Sequence, residues 1–154
     1  MASSQSKQFH LDDVMPHIRE TLAQGKPIAI GPKGTSMMPL IRQGIDYVEL
    51  SPLPQRLKKY DIPLYQRSNG AYVLHRVVKV ADAYTCIGDN QYVLETGVTH
   101  DQLIAVVSAI YRGEKRVPVT AFSYRVYCRF WHYSRPLRHL WLRGISWIKR
   151  KLKK

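Results

Sequence analysis

Residues 62–81, IPLYQRSNGAYVLHRVVKVA, decide the fold class. Two runs rich in β-branched and aromatic residues flank Ser68-Asn69-Gly70, a turn sequence that favours a hairpin, because Asn and Gly tolerate the positive φ angles that tight hairpin turns demand. Candidate strands are therefore Ile62–Arg67 and Tyr72–Ala81. Outward from them, Ile28–Ile30, Tyr47–Leu50, Ala83–Ile87 and Leu103–Arg112 are further short apolar segments bounded by turn residues. Strands this short and this closely spaced predict a mainly β fold, a small, twisted, largely antiparallel sheet or barrel. No Gly-rich phosphate loop and no internal repeat interrupts them.

Helices are expected at both ends. Leu11, Val14, Met15, Ile18 and Leu22 recur at helical spacing between His10 and Gln24, with Asp12 and Asp13 at the end where the helix dipole favours acids. Gly25 and Pro27 stop that helix. Near the other terminus Pro136 opens a second one, with Leu137, Leu140, Trp141, Ile145, Ile148 and Leu152 as an apolar stripe among Arg and Lys. The chain divides into an N-terminal segment and helix (1–26), a β domain (27–120) and a basic amphipathic tail (121–154).

Charge follows the same division. The 154 residues carry a net charge of +13. Residues 1–120 hold 14 Lys and Arg against 11 Asp and Glu, whereas residues 121–154 hold 10 Lys and Arg and no acid. An apolar share of 45% and a charged share of 23% exclude wholesale disorder. Uncharged stretches such as Gln102–Tyr111 are far shorter than the roughly 20 residues of a spanning helix, and the polar start lacks the apolar core of a secretory signal. Cys86 and Cys128 form no CxxC pair and no disulfide framework, which suits a reducing compartment. Cys128, His132 and His139 match no standard metal-site spacing, so neither a metal nor another cofactor is expected. The expected location is cytoplasmic, peripheral to a membrane if the tail meets one.

Three local features could carry chemistry. Gly34-Thr35-Ser36-Met37-Met38-Pro39 places a Ser in a tight turn, where a hydroxyl can face outward and the backbone N–H groups of Gly34, Thr35 and Ser36 can converge on one point. His75 lies in the β-branched run Val73–Val78, on the face of Val73 and Val77, so its ring is expected among apolar neighbours, neutral and able to accept a proton. Gly88-Asp89-Asn90-Gln91 is a turn just beyond the next strand. Each alone is commonplace; their joint occurrence is what points to acyl transfer.

In order and wording these segments resemble the signal peptidase and LexA-like serine peptidase superfamily, over roughly residues 27–112. Gly34-x-Ser36-Met37-x-Pro39 is similar to its nucleophile box, and Lys59-Tyr60-Asp61-Ile62 to its Gly-Asp-Ile/Val stretch, with Tyr60 where Gly is usual. Val73–Val78 resembles the strand bearing the general base, and Gly88-Asp89-Asn90 the Gly-Asp-Asn turn. His75 at the base position resembles the archaeal and endoplasmic-reticulum branch rather than the Ser–Lys branch. Lys79, about 13 Å along an extended strand, cannot replace it. The resemblance implies a signal peptidase-like fold and a serine endopeptidase cleaving a peptide or leader, with Ser36 as nucleophile and His75 as base. It implies Asp89 or Glu95 as the acid that orients the ring. Two departures stand out: Gly34 occupies a position where signal peptidases often have Ser, and no spanning helix is expected.

The alternative function on the same fold is a catalytically inactive peptide- or membrane-binding module; self-cleavage ranks last, since no small-residue pair stands in an exposed loop before Ser36. Expected partners are a peptide or protein substrate and an anionic membrane surface met by residues 136–154, through Trp141, Arg143, Trp147, Lys149 and Arg150. Nucleic acid is the less favoured partner, despite the charge.

Overall fold

The computed structural model describes residues 11–138 and Leu140, the side chain of Asp12 apart. Helix α1, Leu11–Ala23, ends where the sequence predicts. Gly25 takes φ +73° and the Lys26 N–H returns to the Thr21 carbonyl, closing the last turn as glycine-capped helices do. Its inner residues Met15, Ile18 and Leu22 are buried.

Nine strands follow: β1 (Ile28–Ile30), β2 (Asp46–Ser51), β3 (Pro63–Gln66), β4 (Tyr72–Leu74), β5 (Arg76–Val80), β6 (Tyr84–Ile87), β7 (Glu95–Val98), β8 (Leu103–Arg112) and β9 (Lys115–Pro118). They form two antiparallel sheets, not a closed barrel. The larger runs β1-β2-β8-β3-β4, with β9 also on β8, and the smaller runs β5-β6-β7. The long β8 is the spine. One edge carries β2, and the other is shared by β3 at one end and β9 at the opposite end. The fold is thus mainly β, as expected; most of the helix expected from Pro136 onward lies outside the described residues.

The hairpin at Ser68–Gly70 joins β3 to β4, with Leu64 opposite Leu74 and Tyr65 opposite Val73. The run Tyr72–Ala81, however, is not one strand. It breaks at His75: β4 pairs with β3 in the larger sheet, while β5 pairs with β6 in the smaller one. His75 therefore sits at the crossing between sheets. Beside it, the Val77 N–H donates to the Asp61 carbonyl and the Tyr60 N–H to the Val77 carbonyl, both at 2.8 Å. Tyr60 adopts φ +81°, a left-handed conformation that glycine takes freely and tyrosine seldom does.

Two strands escape the sequence pattern. β7, Glu-Thr-Gly-Val, has little intrinsic strand preference and pairs only with β6. β9 is formed by a tight return through Gly113 and Glu114. Phe122–Tyr133 forms a helix, α2, beginning right after the predicted domain boundary. Its inner face is part of the body, because Tyr124 and Cys128 join the main core with α1 and the larger sheet. A second cluster, including Leu57, Tyr65, Val77, Tyr84 and Cys86, fills the space between the sheets. Among the described residues no helix is long and apolar enough to cross a membrane.

Candidate active site

Ser36 is carried by the loop between β1 and β2. Met37, Leu40 and Ile41 are buried on its C-terminal side and tether the loop to the core. The Met38–Pro39 peptide is cis, and the Met38 N–H bonds to the Thr35 carbonyl at 3.2 Å. Ser36, half-buried, faces a cleft of about 990 Å3 whose walls also include Gly34, His75, Arg67 and Gln91. Ile18, Ile28, Ile30 and Leu64 give that cleft a largely apolar lining.

The Gly-Asp-Asn turn docks directly onto the Ser36 backbone. The Asn90 N–H donates to the Ser36 carbonyl at 2.8 Å and its side-chain amide to the Thr35 carbonyl at 3.3 Å. A Cβ on Gly88 would lie 2.6 Å from the same Ser36 carbonyl oxygen, so only glycine permits this approach. Gly34 has φ +93°, and its N–H is already given to Gln43 Oε1 at 2.7 Å. Among the described residues no hydrogen bond is recorded from the Thr35 or Ser36 N–H groups.

His75 is 3% exposed. Its Nδ1 lies 3.3 Å from the Tyr65 hydroxyl and 3.4 Å from Glu95 Oε2. Burial pushes its pKa below the ordinary imidazole value, against the opposing pull of the Glu95 carboxylate, so the ring is neutral at pH 7. Glu95 accepts two bonds from Arg67, at 2.7 and 2.8 Å, and one from the Tyr65 hydroxyl at 2.7 Å. Those donors, Arg67 foremost, outweigh burial and lower its pKa to about 2. Tyr65, buried and facing that carboxylate, is held well above the usual phenol range and stays a donor.

Asp89 is elsewhere engaged. Both of its oxygens accept from Arg76, at 2.8 and 2.7 Å, and one also accepts from Tyr127 at 3.2 Å. Burial works against the Arg76 charge, but the Asp89 bonds prevail and raise its pKa. Arg76 also donates to the Tyr60 carbonyl, the Tyr124 hydroxyl and Cys128 Sγ. The Trp131 indole donates to the Asp89 carbonyl at 2.8 Å. This acid therefore ties α2 to the turn beneath Ser36.

Ser36, His75 and Arg67 line the same cleft, but among the described residues no hydrogen bond joins Ser36 to His75; the Asp89 carboxylate is turned away, to Arg76. Sequence reasoning missed Tyr65, Arg67 and Arg76. Tyr65 and Arg67 share a face at the end of β3, a two-residue alternation that was there to be found. Lys79 is exposed, and among the described residues no three His, Cys, Asp or Glu side chains could hold a metal ion. Trp141, Arg143, Trp147, Lys149 and Arg150, and also His139, lie outside the described residues. No protein-family model, curated protein or solved structure matches the chain.

Proposed function

We propose that the protein is a serine endopeptidase of the signal peptidase-like type, acting on a peptide or leader segment. The observation that carries this is a buried His75 on the wall of the cleft that Ser36 faces, with Nδ1 turned toward an ionised carboxylate. Nδ1, 3.3 Å from the Tyr65 hydroxyl and 3.4 Å from the Glu95 carboxylate, keeps its proton directed at that pair, which fixes the tautomer and leaves the Nε2 lone pair as the base. Ser36 Oγ attacks the peptide carbonyl as Nε2 takes its proton, and the imidazolium returns that proton to the leaving amine. The Thr35 and Ser36 N–H groups stabilise the tetrahedral oxyanion without help from Gly34. The apolar cleft walls suit an extended, hydrophobic substrate segment. Tyr60, in a glycine-like conformation where the related stretch usually has Gly, is a further point of likeness.

A fluorophosphonate probe tests this. The expected result is stoichiometric labelling of the wild type, abolished in Ser36→Ala and lowered by orders of magnitude in His75→Ala, with both variants folded. Labelling that survives Ser36→Ala overturns the peptidase reading and leaves a non-catalytic peptide-binding module on this fold.

A further inference from the structure

α2 has two apolar faces and the body uses one. Tyr124, Tyr127, Cys128 and Trp131 turn inward, onto Arg76, Asp89 and the core. Phe122, Val126, Phe130 and Tyr133 turn outward, and Leu137 and Leu140 continue the series; all six are exposed, Phe122 at 82% and Leu137 at 74%. Helical backbone continues past Ser134 through residues 135–138, with the Arg138 N–H bonded to the Ser134 carbonyl. At 100° per residue the four within α2, Phe122, Val126, Phe130 and Tyr133, fall within an arc of roughly 80°, centred opposite the docked face. A solvent-facing stripe of large apolar side chains over this length is a binding surface, since scattered exposure would not repeat every three or four residues.

From these observations we infer that the outer face of α2 is a docking surface for an anionic lipid bilayer. Exposed Arg125 and Arg129 flank the stripe, and residues 121–154 contain 10 basic residues and no acid. That combination, aromatic and aliphatic residues in a cationic surround, is what an interfacial helix needs. Phe and Tyr suit the headgroup boundary, and Arg reaches the phosphates alongside. A second copy of the chain would bring the same charge against this face and is repelled. Nucleic acid would use the cations and the aromatic rings, but it has no use for Val126, Leu137 and Leu140. The surface begins at Phe122, well before the 136–154 stretch that the sequence marks for a membrane, and it is firmly built because α2 is bonded to the body on its other side. The inference is independent of the peptidase reading.

Co-sedimentation of the full chain with vesicles tests it. The wild type is expected to sediment with mixed phosphatidylglycerol–phosphatidylcholine vesicles and not with phosphatidylcholine alone. Phe122→Gln with Phe130→Gln leaves the net charge unchanged and should lower partitioning by at least about tenfold. Phe122→Leu with Phe130→Leu should retain it within about twofold, and all forms should melt alike because both side chains are in solvent. Gln-variant binding within about twofold of wild type overturns the inference. So does a wild type that ignores these vesicles while binding a single-stranded oligonucleotide, or one that self-associates through this face in sedimentation velocity. A Ser36→Ala chain should bind vesicles as the wild type does, which keeps this test apart from that of the peptidase chemistry.

Discussion

His75 and Arg76 are neighbours in the chain, and each takes a carboxylate from a segment that lies 13 to 20 residues further on. Period-two alternation sends their side chains to opposite sides. On one side, Glu95 lies between Arg67 and Tyr65 with its carboxylate 24% exposed, close to an imidazole. On the other, Asp89 and Arg76 are almost wholly dry, at 0% and 1% side-chain exposure, and each is saturated with partners. The two pairs look alike as lists of contacts but differ in what surrounds them. A dry, saturated ion pair is strongly destabilised by loss of one member, since the other is left charged and buried. A pair at a cleft wall, with a neutral ring against it, can bias a tautomer and support a transient imidazolium. One acid belongs to the proposed chemistry and the other to the architecture beneath it.

The sharpest way to break this contrast is to neutralise each acid in turn. Glu95→Gln should slow fluorophosphonate labelling by about 10²–10⁴-fold, with a urea midpoint that moves far less than in the Asp89 variant. A Glu95→Gln protein that reacts at the wild-type rate would remove the difference in role. Asp89→Asn should have the reverse profile: a loss of about 3–5 kcal/mol in urea unfolding, with the folded fraction labelling faster than Glu95→Gln. An Asp89→Asn protein of unchanged stability would mean that Arg76 is held by its other acceptors alone.

The smallest expected effect concerns pH. The depressed His75 pKa keeps the ring neutral at pH 7, so the acid limb of the labelling rate should lie below 6.5, the ordinary imidazole value. The rate should fall only in more acidic solution, as the ring gains its proton. Glu95, with a pKa of about 2, stays charged there and adds no limb of its own. Because its charge is the main influence raising the His75 pKa, Glu95→Gln should move the acid limb to still lower pH. Asp89→Asn should move it less, because the Asp89 charge acts on that ring more weakly than the Glu95 charge does. Equal displacement in the two variants would contradict the assignment of Glu95 as the orienting partner.

Much of this architecture is legible in the residues themselves. The Ser68-Asn69-Gly70 hairpin, the α1 stop at Gly25 and the positions of β1, β2, β6 and β8 follow from local turn chemistry and periodicity. β7 and β9 do not. Their side chains lack strand character, and each is held by one neighbouring strand rather than by its own preference. α2 was hidden for a different reason. Its apolar residues are split between a docked face and an exposed one, so they do not fall on the single stripe by which a surface helix is recognised. Of the site, Ser36, His75 and the docked Gly-Asp-Asn turn can be marked from sequence as candidates, whereas Tyr65, Arg67 and Arg76 became visible only through their partners.

The sequence alone therefore determined the β class, the hairpin, the first helix and the concentration of most of the charge excess in the last 34 residues, since each depends on neighbours a few positions apart. Only the tertiary structure decided that the run through His75 divides between two sheets, that Glu95 rather than Asp89 meets the ring, and that Asp89 fastens α2 to the turn under Ser36. Those outcomes depend on which side chains meet across space once the core has closed. Two acids six residues apart in one segment cannot be told apart until burial and competing cations assign each its partner.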